Sequence, residues 1–112
     1  MMFPLPPAIK TEVFAKLPQE YLKPTQTGAG GAKSTAHKKC LLEGPSFDRK
    51  GNLYFVDIPH GRVFRASPQG HIELVTQYDG EPNGLKIHKD GRIFITDHRN
   101  GVMLLDADSG KV

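Results

Sequence analysis

The chain has no tryptophan, only one cysteine and no arginine before Arg49. A lone cysteine, Cys40, excludes an internal disulfide and is consistent with a reducing compartment. Lys38 and Lys39 precede it and would lower its thiol pKa; the plainer reading is an incidental cysteine in a linker. Long apolar runs are also missing. The N-terminal "MMFPLPPAIK" is broken by three prolines, which leaves neither a secretory signal nor a membrane span and makes a cytoplasmic location the expectation. Basic residues are scattered in the first forty positions, six lysines against two glutamates with few aromatics. That texture favours a solvated arm over a nucleic-acid site.

What is abundant is glycine (12) and proline (9) in a chain of 112 residues. The length gives room for one small domain, and the turn-forming residues favour short strands over long helices. Residues 1–40 form an N-terminal arm. Within it "TEVFAKL" alternates as a candidate single strand, and "TQTGAGGAKSTAHKK" (25–39) has the composition of a flexible linker. "GAGG" (28–31) lacks the strand–turn–helix setting of a phosphate loop.

From Leu41 the sequence repeats. "EGPSFDRKGNLYFVDIPHGRVFRASPQGHI" (43–72) lies without a gap over "NGLKIHKDGRIFITDHRNGVMLLDADSGKV" (83–112). Gly44 meets Gly84, Gly51 meets Gly91, Asp57 meets Asp97, Gly61 meets Gly101 and Gly70 meets Gly110. Between these fixed points apolar meets apolar, as in Phe47 with Ile87 and Phe55 with Ile95. A period of about 40 residues with four short strands per unit marks a β-propeller blade. The first unit, 41–80, places its strands near 45–48, 53–57, 62–66 and 71–76. The second, 81–112, places three near 85–88, 92–97 and 101–106 and stops where a fourth would begin. The expected class is therefore all-β: about two blades of a propeller, the second incomplete, as the N-terminal piece of a longer protein.

Glu43 and Asn83 occupy the same place in the two units, just before the innermost strand and each followed by glycine. An acid and an amide there would both face the propeller axis and offer oxygen to a hard cation; Ca²⁺ commonly takes about 6–8 oxygens. The topology brings the loops "DIPHGR" (57–62) and "DHRNG" (97–101) to the same end, with Asp57, His60, Asp97, His98 and Arg99. The repeated aspartates suit a structural hydrogen bond in each loop, and a rim histidine is ordinarily solvated. His37, His71 and His88 show no metal-ligand spacing.

These strings, above all "EGPSFD" with "GNLYFVDI" and "GRVFR", resemble the first two blades of the senescence marker protein/gluconolactonase/luciferin-regenerating enzyme family. The resemblance covers residues 41–112 and implies a six-bladed propeller and a metal-dependent lactone hydrolase. It implies Glu43 as a ligand of a divalent metal, Ca²⁺ with Zn²⁺ or Mg²⁺ as alternatives. Asn83 would face the substrate or the outer metal shell, and His98, brought to the same rim by the loop topology, is a second candidate for that role. The catalytic residue is not assignable, because the aspartate expected as base or nucleophile has no counterpart here. The implied partner is a small-molecule lactone, with no nucleic acid and no membrane; the oligomeric state is open. Three alternatives remain: a catalytically inactive propeller fragment, a self-assembling or binding scaffold, and a related propeller without lactonase activity.

Overall fold

The structure, a computed structural model, describes residues 2–22 and 39–112. Most of the predicted linker lies outside the described residues. After one helical turn, α1 (Gln19–Leu22), the chain forms seven strands: β1 (Leu42–Phe47), β2 (Leu53–Asp57), β3 (Arg62–Ala66), β4 (Ile72–Gln77), β5 (Pro82–Ile87), β6 (Ile93–Asp97) and β7 (Gly101–Leu105). They build two antiparallel sheets, ordered β1-β2-β3-β4 and β5-β6-β7. The all-β expectation holds, and the two antiparallel sheets are consistent with part of a propeller. Among the described residues no helix is long and apolar enough to cross a membrane.

Alternation along the strands decides which face of each sheet is buried. Tyr54, Val56 and Val63 of the first sheet meet Leu85, Ile93, Ile95 and Leu105 of the second in one core cluster. Val56, Val63 and Ile95 are completely buried. Each such side chain contributes roughly 1.5–3 kcal/mol relative to exposure. The opposite face of the first sheet carries Phe55 stacked on its cross-strand partner Phe64, ring centroids 5.5 Å apart. Tyr21 from α1 meets Phe64 edge-on at 4.9 Å. The arm therefore covers this second face, which explains why "LYFVD" is apolar on both sides.

Three expectations change. The inner strands start earlier than the sequence suggests, so Glu43 and Asn83 lie inside β1 and β5 rather than before them. The cause is an irregularity in each ladder, between Glu43 and Ser46 and between Pro82 and Gly84, which lets pairing resume beyond the glycine. Residues 11–17 form no strand. Their side chains lie across the first sheet instead, where Val13, Phe14 and Leu17 line a groove with Leu53, Phe55, Ala66 and Ile72. Third, His60 is not a solvated rim residue but is 2 % exposed.

Candidate functional site

Two glycine contacts hold the two inner strands side by side. Gly44 has φ +63°, and a Cβ there would stand 2.7 Å from the Leu85 backbone nitrogen and 3.0 Å from the Gly84 carbonyl carbon. Only glycine allows both the left-handed conformation and this approach. The Ser46 hydroxyl then accepts the Ile87 N–H at 3.2 Å, tying β1 to β5 further along. Glu43 and Asn83 each immediately precede the point of closest approach.

The two loops reach the same end, as the topology requires. Leu42 pairs with Asp57 and Pro82 with Asp97. Ile58 N–H donates to the Leu41 carbonyl at 3.1 Å, and His98 N–H donates to the Glu81 carbonyl at 2.9 Å. This end gathers Glu43, Asn83, Asp57, Asp97 and His98. Their carboxylates are not equivalent.

Asp57 is fully buried and satisfied four times. Its Oδ2 accepts Arg62 Nη2 at 2.7 Å and Nε at 2.9 Å and pairs with His60 Nδ1 at 2.8 Å; Oδ1 accepts the Leu41 N–H at 2.9 Å. Asp97 accepts the Tyr78 hydroxyl at 2.7 Å and the N–H groups of Arg99 and Asn100 at 2.8 and 2.9 Å. Burial works to raise its pKa, but these hydrogen bonds outweigh it and hold the carboxyl below its ordinary value. Both repeated aspartates are structural, as the repeat suggested. Asp79 is bound to Arg99 at 2.6 Å. Glu43, by contrast, is exposed and has no hydrogen bond or ion pair among the described residues. Glu81 shares that freedom; its carbonyl, not its carboxylate, is engaged. Asn83 is exposed and its Oδ1 accepts the Thr96 hydroxyl at 3.3 Å. His98 is exposed on the β6–β7 loop.

A second cluster was not foreseen. Donor atoms of Cys40, Asp57 and His60 lie within 4.8 Å of one another. A divalent cation fits poorly here, because Arg62 already supplies the positive charge. Its Nη2 donates to Asp57, to Cys40 Sγ at 3.2 Å and to the Tyr21 carbonyl at 2.9 Å. Burial, followed by the negative Asp57, raises the Cys40 pKa despite Arg62. The expectation of a lowered thiol pKa is thereby corrected: the protonated sulfur donates to the Tyr21 carbonyl at 3.3 Å. The cluster is a clasp that fastens the arm to the first sheet. Its one sequence signal was Arg62, a charge inside an apolar strand, which the repeat replaces by Val102.

Glu43 suits an implied hard cation better. It offers a free carboxylate beside the glycine contact, the donor chemistry of a Ca²⁺ site, though as one member of a larger ligand set. A cavity of about 530 Å³ opens at the opposite end, lined by Asp48, Lys50, His88, Lys89 and Asp90. Asp48 there is engaged by Lys50 N–H, Asn52 N–H and the Asn52 amide, and Asp90 by Arg92 and His88. The mouth at Glu43 is therefore the better candidate.

Fold and site together describe two consecutive antiparallel β units whose inner strands carry an acid and an amide at one end. A profile of the SMP-30/gluconolactonase/LRE-like region matches residues 41–112. The chain belongs to that family. Among its relatives, lactonase drp35 of Staphylococcus aureus (strain MRSA252) is 40 % identical over 60 residues, 52 % of this chain and 18 % of the relative. Lactonase drp35 of Staphylococcus saprophyticus is 36 % identical over 74 residues, 60 % of this chain and 23 % of the relative. The chain thus matches about a fifth of the length of these relatives.

Proposed function

We propose that residues 41–112 are the first two blades of a six-bladed, metal-dependent lactone hydrolase, with Glu43 as a ligand of the divalent metal, Ca²⁺ before Zn²⁺ or Mg²⁺. The observation that carries the reading is the exposed carboxylate of Glu43, which has no partner among the described residues and sits beside the Gly44–Gly84 contact, at an end where Asp57 and Asp97 are held by protein hydrogen bonds and Asp79 pairs with Arg99. Hydrolysis adds water to the lactone carbonyl carbon and breaks the ring C–O bond, giving a hydroxy carboxylate and a proton. A bound cation would polarise that carbonyl and stabilise negative charge on its oxygen. Glu43 would hold the cation, Asn83 would line the pocket beside it, and His98 would stand at the rim facing substrate. The attacking base is assigned to an aspartate outside this chain.

Calorimetric titration with Ca²⁺, together with pH-stat assay of γ-lactone opening, tests this. Binding should weaken at least tenfold in Glu43→Gln while the Glu81→Gln control stays near wild type. Equal Ca²⁺ affinity in wild type and Glu43→Gln would overturn the assignment.

A scaffold reading draws on a different observation. Val102 and Leu104 on β7 are 72 % and 52 % exposed, leaving one face of the second sheet uncovered. Three two-blade copies would complete six blades. Light scattering showing a discrete trimer would favour assembly, and a monomer would count against it.

A further inference from the structure

One difference between the two units bears on Asn83. Val56 in β2 corresponds to Thr96 in β6. Val56 is completely buried, and Glu43 paired opposite it has no partner among the described residues. Thr96 lies on the uncovered face of the second sheet, beside the exposed Val102. It stands opposite Gly84, and a Cβ on Gly84 would collide with Thr96 Oγ1. Gly84 therefore opens a slot beside Asn83, and the hydroxyl fills it. Gly44 does something else in the first unit, where it admits the β5 backbone.

From this slot Thr96 Oγ1 donates to Asn83 Oδ1 at 3.3 Å. We propose that Thr96 is a positioning residue that engages the Asn83 carbonyl oxygen and leaves its amide N–H₂ as the ligand-facing group. An amide has two donors on its nitrogen and an acceptor oxygen with two lone pairs, so the bond from Thr96 acts by fixing which end of the amide faces outward. With the oxygen engaged by Thr96, the amide donors, which have no partner among the described residues, suit an oxygen-bearing ligand, either a lactone carbonyl or the carboxylate of the opened hydroxy acid. Asn83 then acts as a hydrogen-bond donor and not as a second oxygen ligand beside Glu43. This deepens the function proposed above and rests on it for the identity of the ligand. The hydrogen bond itself is independent of that reading.

The tests separate the two. Solution NMR of the chain reads the bond without any ligand. The Asn83 side-chain amide should be ordered in wild type, and its order parameter should fall below about 0.6 in Thr96→Val. Thr96→Ser should restore it. An unchanged Asn83 signal in Thr96→Val overturns the proposal. Titration with 4-hydroxybutyrate in the presence of Ca²⁺ reads the donor role. Asn83→Ala and Thr96→Val should each weaken that anion about fivefold or more, with Ca²⁺ affinity within twofold of wild type, and Thr96→Ser should recover most of the loss. Asn83→Ala weakening Ca²⁺ as much as Glu43→Gln would make Asn83 a metal ligand and overturn the donor role. Undiminished Ca²⁺ binding in Glu43→Gln would defeat the functional reading alone, leaving the NMR result to decide the role of Thr96.

Discussion

At the residue scale, similar carboxylates have different fates because their neighbours differ. Asp57 and Arg62 are 0 % and 2 % exposed, so neither charge can fall back on water. Removing one partner from such a pair leaves the other uncompensated, at a cost of about 3–5 kcal/mol. Urea unfolding should show a loss of that size for Arg62→Met, with much of it regained in Asp57→Asn/Arg62→Met. A second expectation concerns acid. The folded pKa of Asp97 is depressed, so its contribution is complete above its ordinary value of 3.8 and is lost as pH falls through the lower folded value. Tyr78 shifts the other way. Burial, then its bond to Asp97, raises the phenol above 10.0, so its contribution is complete below that pH and fades in stronger base. Tyr78→Phe should cost about 1.5–3 kcal/mol at neutral pH, as a hydrogen bond to a charged group does. It should also move the acid unfolding midpoint upward, measured by circular dichroism across pH 2–6.

At the scale of elements, much was legible and the misses have physical causes. The repeat placed β2, β3, β6 and β7 within a residue or so, because period-2 apolar runs between glycine turns admit little else. It misplaced the starts of β1 and β5, since a ladder irregularity beside a glycine leaves no periodic trace. Residues 11–17 alternate like a strand, yet their side chains found an apolar face and not a sheet edge. The clasp of Tyr21, Cys40 and Arg62 joins positions 19 to 41 residues apart, beyond the reach of any local pattern. At the candidate site, Glu43 and Asn83 were visible through the repeat, whereas Thr96 was hidden by its resemblance to an ordinary β-branched strand residue. Glycines give a prediction at this scale. Gly91 has φ +94° with nothing within 4 Å of a Cβ, whereas Gly44 adds a backbone collision to its positive φ. Gly91→Ala should therefore cost only the conformational penalty, about 1–2 kcal/mol. Gly44→Ala should cost more, because β1 and β5 must separate, and it should also disturb the Glu43 end. Thermal unfolding of the two variants checks the order, and equal losses would show that the glycine contact does not hold the strands.

At the scale of the whole molecule, the two sheets share one core but have unequal outer faces. The first is covered by the arm: Phe64 and Ala66 are 0 % and 1 % exposed, with Tyr21 against Phe64 and Arg62 stacked 5.5 Å from the Tyr21 ring. The second is open, with Thr96 opposite Val102 and Phe94 opposite Leu104. Alanine at Tyr21 removes an aromatic pair worth about 0.5–1.5 kcal/mol and a cation–π contact worth about 0.5–2 kcal/mol. It also uncovers Phe64, so Tyr21→Ala should be measurably destabilising in urea. Leu104→Lys touches the uncovered face, where little apolar contact exists to lose. Its stability should stay within about 0.5 kcal/mol of wild type, as for surface substitutions generally. Its effect belongs to association: exposed apolar strands at a sheet edge invite pairing, and a lysine there opposes it. Light scattering across a concentration series should show wild type growing in mass while Leu104→Lys stays monomeric. If Leu104→Lys unfolds the protein instead, that face is buried in solution and the arm is not the only cover the two sheets have.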